Sequence, residues 1–363
     1  MTLGWRVRLL GAAISHTTGP VATMTAVRRQ ALRQRQPPQL LVEYLNGKRC
    51  AQASSIDSVA PTPDCGIPVR IYRPAGPTLA PALPIVIAFH GGGWVFGDLS
   101  TAEWLFSAVA AHAHALVVAV NYRLAPEHPA PAAHRDAIAV TAWAAAHARQ
   151  LGGEPGRIAV LGESSGATLA ATVALAARDF GGPDITYQAL LYPITDLTLS
   201  SPSVREMPHQ PILHSADLEA YVKLYLGRGQ DPTDPHLSPL LAEDHSHLPP
   251  ALIITADHDP LRDDGRRYSE RMQQSGVPVQ HLEYRNSPHG FFSFPNICHA
   301  AQPGLTELTT TLHRALWPTE QQENQMNVHS PQRCGQKVSS GDNSVTGSIA
   351  GRSWCGPAVR SLA

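Results

Sequence analysis

Gly162-Glu163-Ser164-Ser165-Gly166 stands between an apolar run, Ile158 to Leu161, and an Ala-rich stretch of helical character from Ala167. A serine in a G-x-S-x-G turn from strand to helix presents its hydroxyl as a nucleophile, and the glycines let neighbouring backbone approach. The turn also sets Ser164 at a helix N-terminus, where free N–H groups and the helix dipole favour developing negative charge. A plain tight turn is the alternative. A second block, His90-Gly91-Gly92-Gly93-Trp94, follows the apolar run Pro84 to Phe89. Successive glycines let backbone N–H groups face a cavity without side-chain obstruction, as an oxyanion hole requires. A phosphate-binding loop would need a following Lys-Ser/Thr or a GxGxxG, and neither is present.

A serine nucleophile of this kind needs a base and an orienting carboxylate, in the chain order Ser, Asp, His. The apolar run Ala251 to Thr255 leads into Ala256-Asp257-His258-Asp259-Pro260, and the run Val279 to Tyr284 leads into Ser287-Pro288-His289-Gly290-Phe291. Both candidates follow predicted strand ends, at the sheet edge that also carries Ser164. Asp259 is the favoured carboxylate and Asp257 the runner-up; Asp259 also suits a helix cap before Pro260. His258 is a base by type but adjoins Asp259 in sequence. Of the 18 histidines, His289 alone occupies a strand-end loop before glycine at this place in the order.

The elements that must position these residues alternate. Strands are predicted at Ser54 to Val59, Ile67 to Arg73, Pro84 to Phe89, Leu116 to Val120, Arg157 to Leu161, Tyr187 to Leu191, Ala251 to Thr255 and Val279 to Tyr284. Helices are predicted at Thr101 to Ala113, Ala130 to Gln150, Ala167 to Arg178, Pro260 to Gln274 and Leu305 to Leu316. The pattern implies an α/β fold with a mostly parallel central sheet and helices on both faces. The segment between Leu191 and Ala251 is too long for an ordinary loop and holds a helical stretch, Ser215 to Leu226. It reads as an insertion over the active edge, and residues about 196–230 together with one or two short helices in 1–45 form a small helical cap. Residues 46–317 then make up the catalytic domain, and the polar segment 318–363 reads as a disordered tail.

The 363 residues carry a net charge of −1, which argues against a nucleic-acid binder. Basic residues in the first fifty positions, among them Arg28, Arg29, Arg33 and Arg35, read as a solvated helix face. No run approaches the length of a membrane span, and Arg6 to Ile14 lacks the cleavage site of a signal peptide. Five cysteines without CxxC spacing make neither a disulfide framework nor a zinc site, so a reducing, cytoplasmic setting is the default. His112/His114 and His245/His247 lie two apart, which on a helix shares no face, so no metal is expected. Arg123, Glu127 and Asp136 are expected to form a buried ionic network behind the glycine loop.

Taken together, His90-Gly91-Gly92-Gly93-Trp94, Asn121-Tyr122-Arg123-Leu124-Ala125-Pro126-Glu127-His128-Pro129, Gly162-Glu163-Ser164-Ser165-Gly166, Asp259-Pro260-Leu261-Arg262-Asp263-Asp264-Gly265 and His289-Gly290-Phe291 resemble the signature blocks of the hormone-sensitive-lipase-like carboxylesterases. The resemblance covers roughly residues 40–317. It implies the α/β-hydrolase fold, a triad of Ser164, Asp259 and His289, and an oxyanion hole from the N–H groups of Gly91, Gly92 and Ser165. It departs from the family after the nucleophile, where Ala-Gly-Gly is usual and Ser165-Gly166-Ala167 stands here. It implies hydrolysis of short-chain acyl esters through an acyl-enzyme, with no cofactor. Trp94 and Phe96 follow the glycines and are candidates to shorten the acyl pocket, core packing being the alternative. The expected partner is a small-molecule ester; a homodimer is left open. Two rival functions stand beside this one: an amide or N-acetyl deacetylase on the same triad, and a ligand receptor of the kind that lacks the histidine.

Overall fold

The computed structural model describes residues 3–35, 37–76 and 82–317. The segment expected to be a tail, 318–363, lies outside them. Eight strands form one sheet: β1 (Ala53–Pro61), β2 (Gly66–Pro74), β3 (Leu83–Phe89), β4 (Leu116–Val120), β5 (Gly153–Glu163), β6 (Ile185–Leu191), β7 (Ala251–His258) and β8 (Val279–Pro288). Their order is β1-β2-β4-β3-β5-β6-β7-β8. Pairing is parallel from β4 through to β8, while β2 runs antiparallel to both β1 and β4.

Strands β3 and β4 are apolar at every position because both faces are covered. Side chains alternate across a strand, so each run divides between two cores. Ile85, Ile87 and Phe89 of β3 join Val118, Val160 and Ile253 on one face. Val86 and Ala88 join Val117, Leu161 and Ile254 on the other. Ten α-helices complete the described fold: α1 (Trp5–Thr18), α2 (Ala26–Arg33), α3 (Gln39–Asn46), α4 (Glu103–His112), α5 (Ala132–Ala146), α6 (Ser165–Phe180), α7 (Pro202–Glu206), α8 (Ser215–Leu226), α9 (Arg262–Gln274) and α10 (Ala301–Leu316). Helices α5, α6 and α9 cover the first face. Helices α4 and α10 cover the second.

The N-terminal region departs from expectation in detail. It holds three α-helices rather than one or two, and Pro38 serves as the residue before α3. Arg29 and Arg33 are not on a solvated face. Arg29 is buried and donates from Nη1 to Met24 O at 2.7 Å, and Arg33 donates to Val95 O at 2.7 Å. The insertion between β6 and β7 carries α7, which the sequence pattern did not reveal, as well as α8. The N-terminal segment packs on it: Gly11 lies against Pro211, and the Val21 N–H donates to Asp217 Oδ1 at 2.8 Å. The ionic network is also divided differently. Arg123 pairs with buried Asp136 at 2.6 Å, but Glu127 pairs with Arg33 at 2.8 Å. Among the described residues, no helix is long and apolar enough to cross a membrane.

Candidate active site

β5 ends at Glu163, α6 begins at Ser165, and Ser164 makes the turn at φ 53°, ψ −121°. A non-glycine residue tolerates such a conformation only where its surroundings hold it. Here the Ser164 N–H donates to Leu191 O at 2.9 Å, fastening the turn to β6. The motif's glycines are required by close packing. A Cβ on Gly162 would lie 2.1 Å from Gly166 O, and one on Gly166 would lie 2.2 Å from Phe89 O. The strand, the turn and the glycine-loop strand therefore meet at a spacing no side chain fits.

His289 and Asp259 arrive from the ends of β8 and β7. His289 Nε2 lies 2.9 Å from Ser164 Oγ, and His289 Nδ1 lies 2.8 Å from Asp259 Oδ2. An ionised carboxylate only accepts, so Nδ1 carries the proton and Nε2 is left to accept from the serine hydroxyl. Asp259 is fully buried, and its other oxygen accepts the Leu261 N–H at 2.8 Å. α9 starts only at Arg262, with Leu261 at its N-cap position and no side-chain cap bond, so Asp259 holds the turn before the helix rather than capping a helix that begins at Pro260. Asp257, the runner-up, faces elsewhere: it accepts the N–H groups of Asn286 and Ser287 at 2.9 and 3.0 Å, pinning the strand end that leads to His289. His258 lies beside Asp257 at 4.0 Å.

A cavity of about 230 Å³ opens onto Ser164. Gly91, Gly92, Gly93 and Ser165 line it beside the nucleophile. The Gly91 N–H, expected in the oxyanion hole, is directed at Glu163 Oε1 at 3.4 Å. Ser165 is the first residue of α6, where a backbone N–H has no partner within the helix. Behind the loop, the Tyr122 hydroxyl donates to His90 O at 2.8 Å, and burial holds the His90 imidazole in its neutral form.

Trp94 lines the cavity, stacked on Tyr225 with centroids 4.2 Å apart. Phe96 stands one layer out and packs edge-on against Tyr221, which is the ring that lines the cavity. Sequence reasoning missed Tyr221 and Leu218 of α8, because nothing in a helical stretch 50 residues past the serine marks which face meets the cavity. It also missed Glu163, Tyr192 and Ser293. Glu163 is buried and accepts the Tyr192 hydroxyl at 2.8 Å, although it occupies a variable position of G-x-S-x-G. Burial raises its pKa, and the Tyr192 bond opposes that rise. Among the described residues, no group of three or more His, Cys, Asp or Glu is arranged to hold a metal.

A family model for the alpha/beta hydrolase fold matches residues 86–293, from β3 through the base. This chain belongs to the α/β-hydrolase family. The hydrolase is 44% identical over 265 residues to "Esterase LipI" of Mycobacterium tuberculosis, covering 71% of this chain and 82% of that protein. It is 35% identical over 253 residues to "Ethyl acetate hydrolase" of Pseudomonas putida, covering 69% and 79%. Among solved structures it matches ester-hydrolase EH1AB1 from the metagenome of Lake Arreo, complexed with a derivative of bipyridine phosphonate. The TM-score is 0.79 at 32% identity, over 86% of this hydrolase and 98% of that chain.

Proposed function

We propose that this hydrolase is a serine carboxylesterase working by two-step acyl transfer at Ser164. The observation that carries the reading is the continuous chain Ser164 Oγ, His289, Asp259, at 2.9 and 2.8 Å. His289 Nε2 takes the hydroxyl proton as Oγ attacks the ester carbonyl carbon, and Asp259 stabilises the imidazolium so formed. The negative oxygen is received by the N–H groups of Gly92 and Ser165. Gly91, also expected there, has its N–H directed to Glu163. The imidazolium then protonates the leaving alcohol, and water repeats the sequence to release the acid. The names of the relatives favour esters over amides. A receptor has no need of the His289 geometry.

The substrate reading is a short acyl chain, acetyl to hexanoyl. It is supported by the modest cavity, by the large Trp94 and Tyr221 rings in its wall, and by a relative named for ethyl acetate. The N-terminal helices and residues 196–230 serve as the cap over the 46–317 catalytic domain. Among the described residues Cys50, Cys65 and Cys298 are free thiols, which supports a reducing, cytoplasmic setting. The test is kcat/KM across p-nitrophenyl esters from two to sixteen carbons, with and without an emulsified interface. A maximum at or below six carbons is expected. A maximum at long chains, or activation by the interface, would make this a lipase.

A further inference from the structure

We propose that Glu163 is a positioning residue, whose single buried carboxylate holds the oxyanion loop and the base-bearing loop in register on either side of Ser164. The proposal rests on the esterase reading of Ser164, His289 and Asp259. Three segments that must cooperate in the reaction converge on this side chain. Oε1 accepts the Gly91 N–H of the oxyanion loop at 3.4 Å. Oε2 accepts the Tyr192 hydroxyl, from the loop after β6, at 2.8 Å. Oε2 also accepts the Ser293 hydroxyl, four residues beyond His289, at 3.3 Å. Asn46 Nδ2 extends the clamp by donating to Ser293 O at 3.0 Å.

Tyr192 carries the constraint to the base. Its φ is +39°, in the left-handed region that bulky residues avoid. Such a backbone persists only when several contacts fix it. The Tyr192 N–H donates to Ile254 O at 2.6 Å, its hydroxyl is held by Glu163, and its ring stands edge-on to His289 with centroids 5.0 Å apart. The imidazole therefore has Asp259 at one nitrogen and the Tyr192 ring against it.

A carboxylate suits this place for a definite reason. Three donors point inward, and an ionised carboxylate presents acceptor sites only. An amide would turn an NH₂ toward one of those donors. Burial raises the Glu163 pKa, and the converging donors oppose that rise without cancelling it. Misplacing a reacting group by about 1 Å costs roughly 100-fold in rate. A clamp that sets the oxyanion loop and the base together therefore acts on kcat.

The test compares Glu163→Gln, Glu163→Asp, Tyr192→Phe and Ser293→Ala with wild type. Active sites are counted by labelling to completion with a p-nitrophenyl phosphonate, and kcat and KM are measured on p-nitrophenyl butyrate. Glu163→Gln is expected to lose roughly 10–100-fold in kcat per labelled site with KM changed less than about threefold. Glu163→Asp should recover part of the loss. Tyr192→Phe and Ser293→Ala should each show a smaller loss, and the Tyr192→Phe loss should shrink in the Glu163→Gln background, as for members of one network. Should Glu163→Gln not fold, the two hydroxyl deletions and Glu163→Asp carry the test. A kcat per labelled site within about twofold of wild type in the folded variants, whatever the melting temperature, would make Glu163 a structural residue only and overturn the proposal. Wild type that is not labelled at Ser164 would instead overturn the esterase reading itself.

Discussion

The Asp259 carboxylate serves two masters, its Oδ2 facing His289 Nδ1 at 2.8 Å and its Oδ1 taking the Leu261 N–H at 2.8 Å. The second bond aims the first. With Oδ1 tied to the backbone at the start of α9, Oδ2 has one direction left, and it meets the imidazole. Asp259→Asn should therefore lower kcat by roughly 10³–10⁴-fold, by presenting an amide N–H and setting the wrong tautomer. Asp257→Asn should cost far less, because it loosens one of two backbone bonds at Asn286 and Ser287 without touching the imidazole. Steady-state kinetics on the two variants decide the matter, and the reverse ranking would refute the assignment.

Ser164→Ala should abolish turnover by several orders of magnitude while circular dichroism stays unchanged. The backbone turn depends on Gly162, Gly166 and the bond to Leu191 O, none of which involves the hydroxyl. Mass spectrometry of phosphonate-treated protein should find the label on Ser164 in wild type and nowhere in the variant.

Arg33 links the N-terminal helices to the glycine loop. Its guanidinium donates to Val95 O and Ala125 O and pairs with Glu127 at 2.8 Å. Hydrogen bonds from a charged donor contribute about 1.5–3 kcal/mol each. Only part of that acts on loop position, since the guanidinium is partly exposed to solvent. Arg33→Ala is expected to lower kcat about tenfold with little change in far-ultraviolet circular dichroism. An unchanged kcat would show that the loop holds its shape without this tether.

Stability should depend on pH through Asp264. Burial pushes its carboxyl up to about 7, although Oδ2 accepts the N–H groups of Thr195 and Asp196. The folded state thus binds this proton more tightly than the unfolded chain, whose carboxyl titrates near 4. The favourable term is complete below about pH 4 and is lost as the pH rises toward 7, at roughly 1.4 kcal/mol per unit within that window. Urea unfolding of wild type and Asp264→Asn at pH 5 and pH 8 measures it. The variant should gain on wild type at pH 8 relative to pH 5, and equal differences at the two values would refute the expectation.

The amino-acid order by itself determined the α/β class and the strand and helix sequence around the edge, and it singled out Ser164 and His289 as candidates. Those features are local. A strand buried on both faces must be apolar throughout, as Leu116–Val120 is, and a serine turn squeezed against two backbones must be flanked by glycine. Other features were decided only by the tertiary structure. Asp257 and Asp259 are two residues apart and chemically identical, and only the direction each faces separates them. Of Trp94 and Phe96 only Trp94 lines the cavity, while Phe96 packs on the core behind Tyr221, because which ring reaches the cavity depends on how α8 lies over the loop. The G-x-S-x-G pattern leaves the Glu163 position unspecified. Its importance comes from Gly91, Tyr192 and Ser293, which reach it from as many as 130 residues away. Local periodicity reports which face of an element is apolar. It carries no information about which distant donor that element will meet, because that is set by the packing of one element on another.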